Sequence, residues 1–132
     1  MQIIGKLPIA GVVLRYALAV SGICILAGCP DIKCENEVLR EIVSPDRKYV
    51  ATVFKRNCGA TTAYAQIVMI RESVSEFRGD NKEEDIFTMK GLLDINVHWK
   101  DSRHLVIEPP DANAVFIKRE SWRDIAISYG TK

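Results

Sequence analysis

From Val38 onward, apolar and polar residues alternate with a period of two, and no stretch sustains a 3.6-residue rhythm. Val38–Val43 predicts a first strand, and Ser44-Pro45-Asp46-Arg47 has turn chemistry, since Pro presets φ and Asp can cap locally. Lys48–Lys55 sets Tyr49, Ala51 and Val53 on one face and Val50, Thr52 and Phe54 on the other. Both faces are largely apolar, which predicts a strand in the middle of a sheet. Arg56–Thr62 has loop composition, and Tyr64–Arg71 alternates as a third strand. Glu72–Asp85 is polar and charged, with Gly79-Asp80-Asn81 at its tip, and reads as an exposed excursion. Ile86–Met89 is a short strand. Leu92–Trp99 predicts a half-buried one, with Leu93, Ile95, Val97 and Trp99 inward and Leu92, Asp94, Asn96 and His98 outward. Lys100–Arg103 turns the chain, His104–Glu108 returns, and Pro109-Pro110-Asp111 stops that strand. Ala114–Lys118 and Asp124–Tyr129 complete the set. The expectation is an all-β domain: an antiparallel meander of about seven short strands, folded as a sandwich or partial barrel.

Before Val38 the pattern is different. Lys6 and Arg15 carry positive charge and no acidic residue precedes Asp31. The 13 residues Tyr16–Gly28 are small or apolar apart from Ser21. That run has the length of a signal-peptide core and falls short of the ~20 residues of a membrane-spanning helix. An uncleaved anchor over Leu7–Gly28 would hold Arg15 mid-membrane at a cost of ~3 kcal/mol. The run ends in Leu26-Ala27-Gly28-Cys29, which resembles the lipobox of bacterial lipoproteins.

That resemblance implies cleavage between Gly28 and Cys29, with a diacylglyceryl thioether on Cys29. Two or three acyl chains then hold the chain to a membrane of the bacterial envelope, facing the periplasm or the exterior. Pro30-Asp31 is not a clean sorting signal for inner or outer membrane. The chain accordingly divides into a signal peptide at 1–28, a lipidated tether at 29–37 and a β domain at 38–132.

Removing 28 of 132 residues leaves 104, one domain by length. Lys6 and Arg15 leave with the signal, so 16 basic side chains face 17 acidic ones, a net charge of −1. No basic excess points to nucleic acid. Of the four cysteines, Cys24 departs with the signal and Cys29 takes the lipid, leaving Cys34 and Cys58. In an oxidising compartment this even pair is expected to form a disulfide closing a loop of about 25 residues, a stabilisation of ~3 kcal/mol. Two free thiols or metal ligands are the alternatives. A metal site is disfavoured by the lack of CxxC spacing and by a total of two histidines.

Ser44-Pro45-Asp46-Arg47-Lys48-Tyr49-Val50-Ala51-Thr52-Val53-Phe54-Lys55-Arg56-Asn57-Cys58-Gly59-Ala60-Thr61-Thr62 resembles the signature stretch of small, uncharacterised bacterial lipoproteins. Cys34-Glu35-Asn36-Glu37 and the Trp99, Asp101, Leu105, Ile107 hairpin extend the resemblance over most of residues 34–108. It implies no assigned activity, substrate or catalytic residue. The family pattern usually has Gly where this chain has Arg47, so a left-handed turn residue there would be strained by ~1 kcal/mol.

Other groupings have plain readings. His98, Asp101 and His104 could approach across a hairpin toward a metal, but two solvated histidines on outward faces explain them. Asp94, Asn96 and His98 form a polar strip opposite an apolar face. Arg78-Gly79-Asp80 spells an integrin-recognition tripeptide inside a turn. Thr61 and Thr62 beside Gly59 suit hydrogen bonds within their own loop. No nucleophile elbow, HExxH, phosphate loop or glycine fingerprint occurs. No catalytic residue, metal or cofactor is therefore assigned. The expected partners are the membrane, through the acyl chains, and an envelope protein. The leading expectation is a non-enzymatic binding domain, and the alternative is an inhibitor or immunity-type lipoprotein that blocks a hydrolase or toxin through the Glu72–Asp85 loop.

Overall fold

The architecture follows from a computed structural model, which describes residue 28 and residues 33–131. Apart from Gly28, the proposed signal run lies outside the described residues, as do Cys29 and the residues up to Ile32. Among the described residues, nine strands form two sheets: β1 (Glu35–Val43), β2 (Tyr49–Asn57), β3 (Ala65–Glu72), β4 (Asp85–Lys90), β5 (Asn96–Asp101), β6 (His104–Glu108), β7 (Val115–Lys118), β8 (Ser121–Trp122) and β9 (Ile125–Tyr129). The first sheet has the order β1-β2-β3-β4-β7 and the second β5-β6-β9-β8. Among the described residues the only helix is a single 3-10 turn, Ala112–Ala114. The fold is thus the expected all-β sandwich rather than a closed barrel.

The two-faced strands sit where their composition demands. β2 and β3 pair in the interior of the first sheet, register Val53↔Val68 and Ala51↔Ile70, and both are buried along most of their length. One face of this sheet, the front, carries Ala51, Val53, Val68, Ile70 and Phe87. It packs on Val97, Leu105, Ile107, Ile125 and Ile127 of the second sheet. Two polar bonds tie the sheets at this junction: Trp99 Nε1 donates to the Ile42 carbonyl at 2.9 Å and Arg40 Nη2 to the Ile95 carbonyl at 2.6 Å.

Four details depart from the sequence expectation. The first strand begins at Glu35, three residues before the alternation becomes apolar, because Glu35, Asn36 and Glu37 pair with Asn57, Arg56 and Lys55. β5 begins at Asn96 rather than Leu92: Gly91 takes φ 86 and turns the chain, leaving Leu92 and Leu93 exposed. The sheets are not a simple meander. After Pro109-Pro110 the chain crosses to the edge of the first sheet as β7, returns as the β8–β9 hairpin, and lays β9 parallel to β6. Finally, Trp122 on the two-residue β8 is buried and meets Tyr49 edge-on. Strand pairing is non-local, so alternation along β9 defines its buried side but not the direction of its neighbour.

Candidate interaction surface

The first sheet has a second apolar face, the back, and among the described residues no second sheet covers it. By register it carries Phe54, Thr52 and Val50 of β2 and Ile67, Met69 and Arg71 of β3. Phe54, Ile67 and Met69 are nonetheless fully buried. Among the described residues, the segment between β3 and β4, residues 73–84, supplies a cover for them. Phe77 from this strap packs on the cluster and meets Phe54 with ring centroids 5.1 Å apart.

Two arginines fasten the strap on either side of Phe77. Arg71 Nη1 donates to the Ser75 carbonyl at 2.5 Å, and its Nη2 pairs with Glu41 at 2.7 Å. Arg56 Nη2 donates to the Gly79 carbonyl, and its Nε donates to Asn36 Oδ1 at 3.1 Å. Gly79 is buried against that same Asn36: a Cβ there would lie 2.6 Å from Asn36 Cγ, so the position has no room for a side chain. The strap rejoins the sheet where the Ile70 amide donates to the Glu84 carbonyl at 3.1 Å. The excursion expected from its polar composition is mostly solvent-facing, yet it is held at both ends and plugged in the middle.

Arg56 also faces Asp85 at 3.5 Å. Asp85 is 3% exposed, and its Oδ1 is buried without a hydrogen-bond partner. Burial pushes this carboxyl above the ordinary carboxylate range, while the Arg56 guanidinium pulls the other way. Beside the cluster lies a cavity of about 710 Å³, lined by Lys33, Cys34, Arg56, Cys58, Asp80 and Lys82 among others. Cys34 and Cys58 form the disulfide expected from the cysteine count, with Cα atoms 4.1 Å apart. It staples the start of β1 to the residue after β2, and so holds Asn36 over Gly79.

A family of unknown function, DUF5412, matches residues 9–121. The chain belongs to this family. No curated protein and no solved structure matches it. The residues shared with DUF5412 span Leu26–Cys29, both disulfide cysteines and the arginine-held strap, and end at the first residue of β8. Trp122 and β9, which complete the second sheet, lie beyond the matched residues of DUF5412.

Within this DUF5412 chain the groupings noted from sequence separate cleanly. His98 stands opposite Val106 on the exposed side of β5, and His104 meets the Ser128 hydroxyl across the β6–β9 pair. Asp101 accepts from the Arg103 amide at 2.8 Å, closing the hairpin turn. Among the described residues no cluster of His, Cys, Asp and Glu could hold a metal. Asn96 donates to Glu108 at 2.5 Å on the outward strip. Thr62 donates its hydroxyl to the Gly59 carbonyl at 3.0 Å, the local bond anticipated for that loop. Arg78 and Asp80 are exposed around a buried Gly79. Sequence reasoning missed Arg56 and Arg71 as anchors. The available signal was their position: each continues the apolar row of its strand, so each places a cation on a face otherwise buried.

Proposed function

We propose that this chain is a lipid-anchored protein of the bacterial envelope whose β domain acts through its surface, without catalysis, on another envelope protein or on the wall. The observation that carries the reading is Leu26-Ala27-Gly28-Cys29 directly after a basic and then apolar run. The disulfide is consistent with it, since Cys34 and Cys58 persist as a bonded pair in an oxidising compartment. Acyl chains on Cys29 would supply more than the two signals that stable anchoring needs. Replacing Cys29 by Ser tests this. The substituted chain should leave the membrane pellet or accumulate with its signal uncut. An unchanged membrane fraction and an unchanged processed mass would contradict the reading.

One observation favours a second reading, an inhibitor or immunity-type lipoprotein that captures one hydrolase or toxin. The strap is exposed but fastened by Arg56 and Arg71, and a pre-ordered loop loses less conformational entropy on binding than a free one. Deleting the strap would uncover Phe54, so the cleaner test replaces its outward residues Val74, Glu76, Arg78 and Glu83 by Ala. Partner capture from intact envelopes should then fall if the strap is the contact, and persist if another surface is.

A further inference from the structure

We propose that the rim of the domain carrying Tyr64, Leu92 and Leu93 rests on the bilayer, and that the anchor thus orients the domain as well as retaining it. This deepens the anchoring reading and rests on it. Cys34 follows Cys29 by five residues, which span at most ~18 Å when fully extended. Cys34 is itself bonded to Cys58, so the lipid leads to one particular rim. The register defines that rim: Glu35 faces Asn57, Arg56 faces Ala65, and Ala65 faces Lys90. The start of β1, the end of β2, the start of β3 and the end of β4 therefore lie together, joined by residues 58–64 and followed by residues 91–95.

On this rim Tyr64 is 45% exposed, Leu92 50% and Leu93 41%. Two hydrogen bonds hold this stretch to β3 and its approach: the Gly91 amide donates to the Tyr64 carbonyl at 2.8 Å, and the Leu93 amide donates to the Gln66 side-chain oxygen Oε1 at 3.0 Å. Gly91 with φ 86 makes the turn that lifts both leucines out of β5. A Tyr with two leucines, apolar in body and wet at one tip, suits the headgroup boundary of a membrane. The rim has little net charge: Lys33, Lys55 and Lys90 stand against Glu35, Glu37 and Asp94, and Arg56 is paired with Asp85. The contact is therefore apolar in origin, and phosphatidylcholine alone should support it.

The test is hydroxyl-radical footprinting read by mass spectrometry. The acylated protein, purified from membranes, is placed in phosphatidylcholine liposomes and compared with the acyl-free Cys29→Ser mature chain mixed with the same liposomes. Labelling of Tyr64, Leu92 and Leu93 should fall by about threefold or more in the anchored protein. Val74, 89% exposed on the opposite rim, should label equally in both. A Leu92→Asp/Leu93→Asp chain, still acylated and with an unchanged melting temperature, should regain labelling at Tyr64. Equal labelling of the three residues with the acyl chains present would overturn the orientation and leave anchoring intact. Purified protein without a thioether at Cys29 would remove both.

Discussion

The two faces of the five-stranded sheet solve one problem by different means. Both are apolar and both must be kept from water. The front face is covered by a second sheet, and its buried residues run continuously from Ala51 through Phe87 to Ile107 and Ile127. The back face is covered by a loop that contributes one aromatic ring and is otherwise held by charged side chains. Area removed from water supports the front. Support at the back comes from two guanidinium groups bonded to loop carbonyls, each with a carboxylate behind it. The back cover, with fewer buried apolar contacts, is thus the more easily opened of the two.

The largest effect should come from the front. Phe87→Ala is expected to cost ~3–5 kcal/mol in urea unfolding, against ~1–2 kcal/mol for Phe77→Ala, whose ring is only partly buried. Equal losses would mean that the strap is as integral to the core as the second sheet. Removing the disulfide with Cys34→Ser and Cys58→Ser should cost ~3 kcal/mol. Because that bond holds Asn36 against Gly79, amides of residues 73–84 should gain exchange rate before those of β5 and β6.

Next in size is the Arg56–Asp85 pair. Arg56→Ala strands a buried carboxylate and should cost ~2 kcal/mol or more, whereas Arg56→Met with Asp85→Leu should recover much of it. The same pair sets a pH signature. A carboxyl whose folded pKa is raised binds its proton more tightly when folded, so its contribution is complete below the unfolded value and is lost as pH rises through the folded one. Asp46 has the opposite sign: the Ser44 hydroxyl, then the Lys48 amide, hold it below its ordinary value, and its contribution is lost as pH falls through that lowered value. Stability measured from pH 4 upward should therefore decline less with pH in Asp85→Asn than in the parent chain. The smallest effect is at Arg47, which sits at φ 62 in the turn before β2. Arg47→Gly should leave the melting temperature unchanged or raise it, with a gain in stability of up to ~1 kcal/mol.

Much of this was legible in the sequence, and the illegible part has a physical reason. Alternation placed Val53 and Phe54 on opposite faces, and two apolar faces marked β2 as interior. The cysteine count paired Cys34 with Cys58, and the departure from Gly at position 47 pointed to the left-handed residue found there. Periodicity is a property of one strand and does not encode its neighbour, so the parallel β6–β9 pair and the crossing through β7 were hidden. Leu92 and Leu93 continued the alternation of β5, yet Gly91 had already turned the chain away. Phe77 stood alone among charged residues, and a single aromatic in a polar stretch carries no periodic signal. Its role depends on Arg56 and Arg71, which come from other strands.

The most direct test is the mass of the N-terminal peptide in the membrane fraction. The lipid-anchored chain should yield a peptide that begins at Cys29 and carries diacylglyceryl, with or without a third acyl chain on its amine. A single unmodified peptide running through residues 20–33 would contradict it.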